Sequence, residues 1–267
     1  MLRLITSFNE ALYKQYGNQF IDSWLSHAGE GISLTVFCEG GTNWISSAHE
    51  RSIIQFVALE SKALAHFHSV FGTFIQARGG QVVADKQKPN LYSFQYNYQF
   101  DAIRFSFKAF AFHQLLQMET QDQSYVGWID ADVICRRNFC FTDLLPVIPS
   151  EDCLASYLGR SSFPPGRPHS ECGFLVYNLN QAASLQFIED FVDMYISGSI
   201  FLLSAWHDCA AFDATREKYE DAGHRFLNIS GEFHDEEHPF IKSHLGLFFD
   251  HLKGPARKAK GSSFDNE

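Results

Sequence analysis

Two aspartates separated by one residue, Asp130 and Asp132, follow an apolar run at residues 125–129. A buried strand that ends in Asp-x-Asp projects both carboxylates from the carboxyl edge of its sheet, where open α/β sheets bind ligands. Two close carboxylates repel each other unless a cation or a proton lies between them. Mg²⁺ and Mn²⁺ favour oxygen ligands and leave room for substrate phosphates. The pair therefore indicates a metal that carries a nucleoside diphosphate, and the competing interpretation is a solvated turn after a strand.

A second set of candidate ligands lies at residues 250–258, whose sequence is DHLKGPARK. His251, Gly254 and Arg257 follow an H-x-x-G-x-x-basic spacing. A neutral imidazole can complete a carboxylate metal site, and glycine lets the backbone approach a phosphate closely. Arginine can bind phosphate bidentately, and Lys253 adds a second positive charge. The competing interpretation is a solvated basic tail.

The elements around these residues have the pattern of an α/β fold. Residues 2–8 and 31–40 are rich in β-branched and aromatic residues and predict strands. Residues 9–28 have helical spacing, with Asn9 as N-cap. Strand, helix, strand is the unit of a parallel sheet, so we expect one α/β domain with a mixed, mainly parallel sheet flanked by helices. Further strands are predicted at 124–130, 152–158 and 172–178, and further helices over 100–117, 181–197 and 206–222. Residues 47–90 are predicted to be helical, with a break at Gly79-Gly80 and a loose polar stretch at 85–90.

The composition excludes several classes of protein. Of the 267 residues, 45% are hydrophobic and 19% are charged, which is typical of a folded chain with a substantial core. The net charge of −10 argues against a nucleic-acid binder, because such proteins need a basic face. Six cysteines without a C-x-x-C pair indicate reduced thiols, and no apolar run has the length of a signal peptide or a membrane span. We therefore expect a cytoplasmic protein.

The Asp-x-Asp at the end of a mid-chain strand, together with the histidine motif, resembles the GT-A glycosyltransferases. The retaining enzymes of glycosyltransferase family 8 are most similar, although Arg257 replaces their lysine and the Pro-Trp that often follows is absent. The resemblance implies a Rossmann-like GT-A catalytic domain over residues 1–250. Residues 251–267 would close over the donor site, with Gly254, Lys253 and Arg257 near the diphosphate, and then form a loose tail.

In this family the aspartates and the histidine hold a metal ion against the diphosphate of a nucleotide sugar. The resemblance implies that Asp130, Asp132 and His251 hold Mn²⁺, or Mg²⁺, with Ala131 next to the donor. It also implies transfer of a sugar from a nucleoside-diphosphate sugar, with a UDP-sugar favoured, to a hydroxyl acceptor such as a glycan.

Two further stretches resemble motifs of the same family. In ECGFLVYNLN, Gly173 and Asn178 match a pattern in which the glycine leaves space for the donor sugar. In WHDCAAFD, Asp208 matches the aspartate of a D-Q-x-x-x-N helix start, although Cys209 replaces the glutamine. That region faces the reacting carbon in the retaining enzymes, so Asp208 is the catalytic candidate. The C-terminal histidine motif is the feature that favours a retaining outcome. The competing interpretations are a buried strand and a carboxylate that stabilises a helix dipole.

Candidates for the rest of the donor site lie upstream. Arg104 and Lys108 are spaced i, i+4 on a predicted helix, and many GT-A enzymes carry a similar R-x-x-x-K helix beside the donor. Arg104 is preferred because it lies in an apolar stretch, whereas Lys108 also fits a surface charge. Thr6, Ser7 and Phe8 end the first strand and would meet the base and ribose.

Variable loops at residues 160–171 and 230–243 are expected to build the acceptor site. The acidic stretch at residues 232–239 fits a hydrated loop better than a source of the general base. The basic stretch at residues 253–260 is a candidate for weak contact with an anionic acceptor or a membrane surface.

Two other functions fit part of the sequence. Haloacid-dehalogenase-like phosphatases carry a similar Asp-x-Asp, in which the first aspartate is a nucleophile and a later acidic pair, here Asp208 and Asp213, completes a Mg²⁺ site. That motif normally lies on the first strand, whereas a long α/β segment precedes it here. A catalytically inactive sugar-binding domain is the other alternative, because fold does not imply activity. The presence of Asp130, Asp132 and His251 together argues against it.

Overall fold

The computed structural model describes residues 1–46, 49, 53–84, 92–118, 123–160, 169–230 and 238–252. Within these residues the strands are β1 Leu2–Asn9, β2 Ile32–Glu39, β3 Ile54–Ala58, β4 Gly80–Ala84, β5 Tyr92–Tyr96, β6 Tyr125–Ile129, β7 Val133–Cys135, β8 Cys153–Leu158, β9 Glu171–Asn178, β10 Arg225–Asn228 and β11 Phe249–His251. The α-helices are α1 Glu10–Leu12, α2 Asn18–His27, α3 Lys62–Phe71, α4 Ala102–Gln117, α5 Ala182–Ile196, α6 Asp208–Asp221 and α7 Pro239–Lys242. A π-helical turn, Tyr13–Gly17, joins α1 to α2, and 3₁₀ turns lie at Gln76–Arg78, Tyr98–Phe100, Phe141–Val147, Ser199–Leu202 and His244–Leu247.

None of the described helices combines the length and the apolar content that crossing a bilayer requires.

Seven of these strands form one sheet in the order β10-β8-β9-β6-β1-β2-β3. β1 pairs in parallel with β2 and β6, β2 with β3, and β10 with β8. β9 runs antiparallel to both β6 and β8. The first residues of β9 therefore lie at the edge where β1, β2 and β6 end. The predicted mixed, mainly parallel α/β sheet is confirmed.

Alternation along the central strands gives the sheet two apolar faces, because successive residues of a strand point to opposite sides. Ile5 and Leu175 belong to one core, which α3, α4, α5 and α6 cover. Their neighbours Leu4 and Phe174 belong to the other core, which α2 and α7 cover. Helices therefore flank both faces of the sheet, as the sequence predicts.

Most predicted elements have counterparts close to their predicted bounds. The Asn9 side chain accepts a hydrogen bond from the Leu12 backbone N at 3.0 Å, which caps α1 as expected. The strands predicted at 124–130, 152–158 and 172–178 correspond to β6, β8 and β9, and the helices predicted at 100–117, 181–197 and 206–222 correspond to α4, α5 and α6.

The prediction of a helical region over residues 47–90 is right for α3 and the 3₁₀ turn, with a break at Gly79-Gly80, and wrong for β3 and β4. β3 lies there and pairs with β2, with Leu34 opposite Ile54, and β4 forms a hairpin with β5. Both strands are rich in β-branched or aromatic residues, and pairing with a partner strand favours the extended conformation over a helix there. Gly79, with φ of 75°, ends the 3₁₀ turn in a left-handed conformation that glycine adopts readily.

β7 and β11 form a small antiparallel ribbon that returns the chain to the aspartate pair. His251 lies opposite Val133 in this ribbon. The backbone N of Leu252 donates to the Asp132 carbonyl oxygen at 2.8 Å. Phe249, at the start of β11, is fully buried. The ribbon therefore fixes His251 beside the turn that carries the aspartates.

Candidate metal and donor site

Asp130 and Asp132 occupy the turn between β6 and β7, at the carboxyl edge of the sheet. The backbone N of Asp130 donates to the Gly173 carbonyl oxygen at 2.9 Å, which joins the turn to β9. The Trp128 indole Nε1 donates to Asp130 Oδ1 at 2.6 Å and orients that carboxylate. The two side chains are only 26% and 15% exposed. The pair is therefore held in place and differs from a freely solvated turn.

His251 meets both carboxylates. Its Nε2 lies 3.1 Å from Asp132 Oδ1 and 3.6 Å from Asp130 Oδ2. The His251 side chain is fully buried, and its ring packs on Phe240 with centroids 4.9 Å apart. The ligand atoms of the three residues all lie within 4.8 Å of one another. Residues far apart in the sequence thus converge on one point.

Space for an ion at this point depends on Gly173. A Cβ at Gly173 would lie 2.8 Å from His251 Cε1 and 3.2 Å from Asp130 Oδ2, so any side chain would crowd the ligand atoms. Two carboxylates and one imidazole form a donor set that suits Mn²⁺ or Mg²⁺. Carboxylates this close repel each other without a cation between them. The residues present therefore fit a divalent cation.

Lys108 lies in the interior beside the aspartates. Its Nζ donates to the Cys172 carbonyl oxygen at 2.6 Å, lies 3.6 Å from Asp130 Oδ1 and forms an ion pair with Asp208 Oδ2. The Nζ also lies 4.8 Å from the centroid of the Trp128 ring. Burial lowers the pKa of Lys108, but the carboxylates of Asp208 and Asp130 outweigh burial and raise it. Lys108 is therefore a buried ammonium that links α4 to Asp208 and Asp130.

Asp208 is the first residue of α6 and is buried. His207 caps the helix, because its side chain accepts a hydrogen bond from the Ala210 backbone N at 3.3 Å. A carboxylate in the first turn of a helix also stabilises the helix dipole. Its ion pair with Lys108 is an additional, directed contact that places Asp208 within reach of the aspartate turn.

Ser7 and Glu39 mark the ends of β1 and β2 at the same edge. Ser7 Oγ donates to Glu39 Oε1 at 3.0 Å. Burial raises the pKa of Glu39 to about 7, although the Ser7 hydrogen bond and the Arg104 charge oppose the shift. Sequence reasoning did not select Glu39, and its position at the end of a strand next to β1 was the available signal.

Arg104 is exposed, in contrast to Lys108 one turn later on α4. Its Nη1 lies 3.5 Å from the Tyr96 hydroxyl, which donates to Asp101 Oδ2 at 2.9 Å. The pKa of Tyr16 is raised by burial and then by the Asp132 charge, and Arg104 acts on it in the opposite direction. Arg104 therefore contributes positive charge to the neighbourhood of the aspartate turn from its rim.

Thr6 and Phe8 have different surroundings from Ser7. Both side chains are fully buried, and the Phe8 ring packs against Tyr13 with centroids 6.0 Å apart. Of these three candidates, Ser7 is the one whose side chain is partly exposed. Ala131, between the two aspartates, is buried, so its backbone is the part available to a donor beside this turn.

Glu171 is a further acidic residue at this edge that sequence reasoning passed over. Its Oε2 accepts from Arg160 Nη2 at 2.5 Å and lies 3.5 Å from His238 Nε2. Its Oε1 accepts from the Gly173 backbone N at 3.2 Å. The ligand atoms of Glu171, His238 and His251 also lie within 4.8 Å of one another. The start of β9 thus adds a paired carboxylate next to Gly173.

Several predicted residues lie outside the described residues. They are the phosphate candidates Lys253, Gly254 and Arg257, and parts of the two acceptor loops, 161–168 and 231–237. The predicted loose tail, 253–267, lies there as well.

Asp213 does not join Asp130 and Asp208 in the way a phosphatase site requires. Its Oδ2 accepts from the Ser170 backbone N at 2.7 Å, and its Oδ1 accepts from Ser170 Oγ at 2.5 Å. Arg216 lies 3.4 Å from Oδ1. Asp213 therefore belongs to a separate network, and the acidic pair of that alternative is not assembled.

No protein-family model matches the chain, and no curated protein sequence matches it. Among solved structures, the chain is similar to mouse xyloside xylosyltransferase 1 in its apo form, with 11% identity, a TM-score of 0.49, and coverage of 86% of this chain and 85% of that chain. It is similar to the galactosyltransferase LgtC in complex with donor and acceptor sugar analogues, with 15% identity, a TM-score of 0.45, and coverage of 78% and 68%. It is also similar to a glycosyltransferase involved in glycosylation of the major capsid of PBCV-1, with 9% identity, a TM-score of 0.49, and coverage of 97% and 96%. Likenesses of this size do not identify site residues, so function is inferred from the geometry described above.

Proposed function

We propose that this chain is a metal-dependent GT-A glycosyltransferase that moves a sugar from a nucleoside-diphosphate sugar, with a UDP-sugar favoured, to a hydroxyl acceptor such as a glycan. The observation that carries the proposal is the convergence of Asp130, Asp132 and His251 beside Gly173. This convergence lies at the edge where open α/β sheets bind ligands. A catalytic domain over residues 1–250, followed by a segment that closes over the donor, is part of the same proposal.

The metal would be held by the carboxylates of Asp130 and Asp132 and by His251 Nε2. When bound, Mn²⁺ or Mg²⁺ supplies positive charge to the departing diphosphate. Gly173 keeps the space next to these ligands free of a side chain, which leaves room for the donor sugar. Lys253, Gly254 and Arg257 would approach the diphosphate from the segment after β11.

The reacting side of the donor would face Asp208 and Lys108. The Lys108 ammonium forms ion pairs with both Asp208 and Asp130, so it holds these two carboxylates near each other. Preorganised charges in a buried site stabilise charge that develops in a transition state without reorganisation. Asp208 is the proposed catalytic residue, and the resemblance of the C-terminal histidine motif to that of retaining enzymes favours a retaining outcome.

The nucleoside would lie along the ends of β1 and β2. Ser7 and Glu39 offer a hydroxyl and a carboxyl group there, and Arg104 adds positive charge from α4. Thr6 and Phe8, whose side chains are buried, would support this surface through packing and backbone groups. Ala131 would contribute its backbone beside the metal ligands.

The location and acceptor complete the proposal. A cytoplasmic location is supported by six cysteines that are free of disulfides. The acceptor would lie between the segments 160–171 and 230–243, and weak contact with an anionic surface would involve residues 253–260.

A thermal-shift screen tests the proposal. UDP, GDP, CMP and dTDP sugars would be added, each with and without Mn²⁺, to wild type, to Asp132→Ala and to Asp221→Ala as a control at an exposed position of α6. A ligand that binds only the folded state at a hundred times its Kd stabilises by about 2.7 kcal/mol. We expect one nucleotide to raise the Tm of wild type and Asp221→Ala with Mn²⁺, and to leave Asp132→Ala unchanged.

The opposite result has a defined meaning. If none of the sugars shifts the Tm, and wild type instead hydrolyses a generic phosphoester with Mg²⁺, the transferase proposal is wrong. A Mn²⁺-dependent shift that survives in Asp132→Ala would place the metal elsewhere.

A further inference from the structure

Two cysteines meet behind the donor site. Cys172 is the second residue of β9 and is buried, and Cys209 is the second residue of α6 and is partly exposed. The two sulfur atoms and a carboxylate oxygen of Asp208 all lie within 4.8 Å of one another. The other four cysteines are also free thiols.

The pair lies directly against Asp208 and Lys108. The Cys172 carbonyl oxygen accepts from Lys108 Nζ at 2.6 Å, and the Cys209 thiol donates to Asp208 Oδ1 at 3.6 Å. Because Lys108 already pairs with Asp208, a metal ion there would have to displace a buried ammonium. Two neighbouring thiols, one of them in a partly exposed residue, fit a disulfide better than a metal site.

We propose that Cys172 and Cys209 are a reversible oxidation site, at which a disulfide ties the start of β9 to the start of α6. The oxidant is a small disulfide such as oxidised glutathione, which the reaction reduces to two thiols. The cross-link stands independently of the proposed function, but its effect on sugar transfer rests on that function.

The exchange runs in two steps. The Cys209 thiolate attacks one sulfur of oxidised glutathione, which forms a mixed disulfide and releases one glutathione thiolate. The Cys172 sulfur then attacks the Cys209 sulfur, loses its proton and releases the second glutathione as a thiol. The protein loses two hydrogens, and glutathione disulfide gains them.

The surroundings favour Cys209 as the attacking thiol. Contact with the Cys172 thiol lowers the pKa of Cys209 to about 7, although burial opposes the shift. Burial raises the pKa of Cys172, which suits a resolving thiol that reacts only within the mixed disulfide.

A disulfide would change the geometry next to the proposed catalytic residue. Bonded sulfur atoms lie about 2.05 Å apart, closer than two unbonded thiols, so the side chains and the residues next to them at the starts of β9 and α6 must shift. Asp208 precedes Cys209 and is paired with Lys108, so this movement displaces both. A misplacement of about 1 Å can lower turnover about 100-fold, so a smaller displacement of Asp208 should lower it roughly tenfold.

The experiment oxidises the native full-length protein with oxidised glutathione and maps its disulfides by mass spectrometry. We expect a product lighter by two hydrogens, with Cys172 and Cys209 peptides cross-linked, that dithiothreitol reverses. Cys140→Ser removes the other partly exposed thiol and should keep the cross-link, whereas Cys209→Ser should lose it.

The mapping on wild type does not depend on the variants or on any activity. A persistent mixed disulfide at Cys209, or modification of Cys140 while Cys172 and Cys209 remain free thiols, would overturn the inference. Zn²⁺ bound at one per chain that protects both thiols from oxidation would also overturn it.

A separate assay of sugar transfer tests the consequence. Oxidation should lower the rate about tenfold in wild type and Cys140→Ser, and should leave the rate of Cys209→Ser at its own starting value. A cross-link in a protein without transferase activity would uphold the oxidation site and contradict the proposed function, so the two failures are distinguishable.

Discussion

Lys108 carries a full positive charge in the interior, and two carboxylates make this possible. Asp208 pairs with its Nζ, and Asp130 lies 3.6 Å away. Removing one partner of a buried ion pair leaves an uncompensated charge, which is more costly than losing the pair as a whole. The loss of stability should therefore be larger when Lys108 alone is replaced than when Lys108 and Asp208 are replaced together.

Lys108→Met should lower the free energy of unfolding by about 3–5 kcal/mol, because it leaves the Asp208 carboxylate buried without its cation. Urea denaturation at neutral pH measures this. Lys62→Met, at an exposed position of α3, is the control and should change little. The double variant Lys108→Met/Asp208→Leu should recover part of the loss. A loss as small as that of Lys62→Met would show that the pair is not buried in solution.

Glu39 predicts a pH dependence of stability. Its pKa is raised from 4.5 to about 7 by burial, so the folded protein binds a proton that the unfolded chain has already lost over this window. Its contribution to stability is therefore full below pH 4.5 and is lost as the pH rises through 7. The free energy of unfolding of Glu39→Gln, relative to that of wild type, should rise by roughly 1–3 kcal/mol from pH 5 to pH 7.5.

Urea denaturation at the two pH values tests this, with Glu60→Gln at an exposed position as the control. Glu60→Gln should show the same pH dependence as wild type. Parallel curves for Glu39→Gln and wild type would mean that Glu39 titrates like an ordinary surface carboxyl.

At the scale of elements, the site is a junction of strand ends. β6 supplies the aspartate turn, the reversed strand β9 supplies Gly173, and the ribbon of β7 and β11 supplies His251. None of these elements forms a ligand set alone. The close approach of β9 to the other two is what Gly173 allows.

Gly173→Ala should weaken Mn²⁺ binding about 10–100-fold, an effect typical of groups that orient metal ligands. The added Cβ would lie 2.8 Å from His251 Cε1, so the imidazole must move. Isothermal titration of Mn²⁺ measures the change, with His251→Ala as the reference for loss of a ligand. The Tm in a chelator shows whether the fold is intact. Wild-type affinity in a folded Gly173→Ala protein would mean that His251 does not bind the ion.

Local pattern predicted the elements that have strong periodicity or composition of their own. β1, α4, β6 and β9 are examples, and Asn9 was recognisable as a cap. β3 and the hairpin of β4 and β5 were missed because their pairing partners, and not their own spacing, decide their structure. The same limit applies to the ribbon that carries His251.

At the scale of the whole molecule, the sequence predicted which residues form the candidate site better than it predicted their burial and their neighbours. The sequence placed Asp130, Asp132 and His251 in one hypothesis, and the structure brings them together. The sequence analysis preferred Arg104 and allowed Lys108 to be a surface charge, but Arg104 is exposed and Lys108 is buried. The two residues are one helical turn apart, and the sequence does not show which of them faces the core. Glu39 lay outside the hypothesis because only the register of parallel strands brings it to Ser7.

The ribbon of β7 and β11 has a consequence for synthesis on the ribosome. All seven strands of the main sheet precede β11 in the chain, so all of them are synthesised before His251. At 5–20 residues per second, roughly 6–24 seconds separate translation of Asp132 from that of His251, which lie 119 positions apart. During that interval the aspartates are present without their third partner. A product terminated before His251 would contain all seven strands of the sheet and lack one of the three proposed metal ligands.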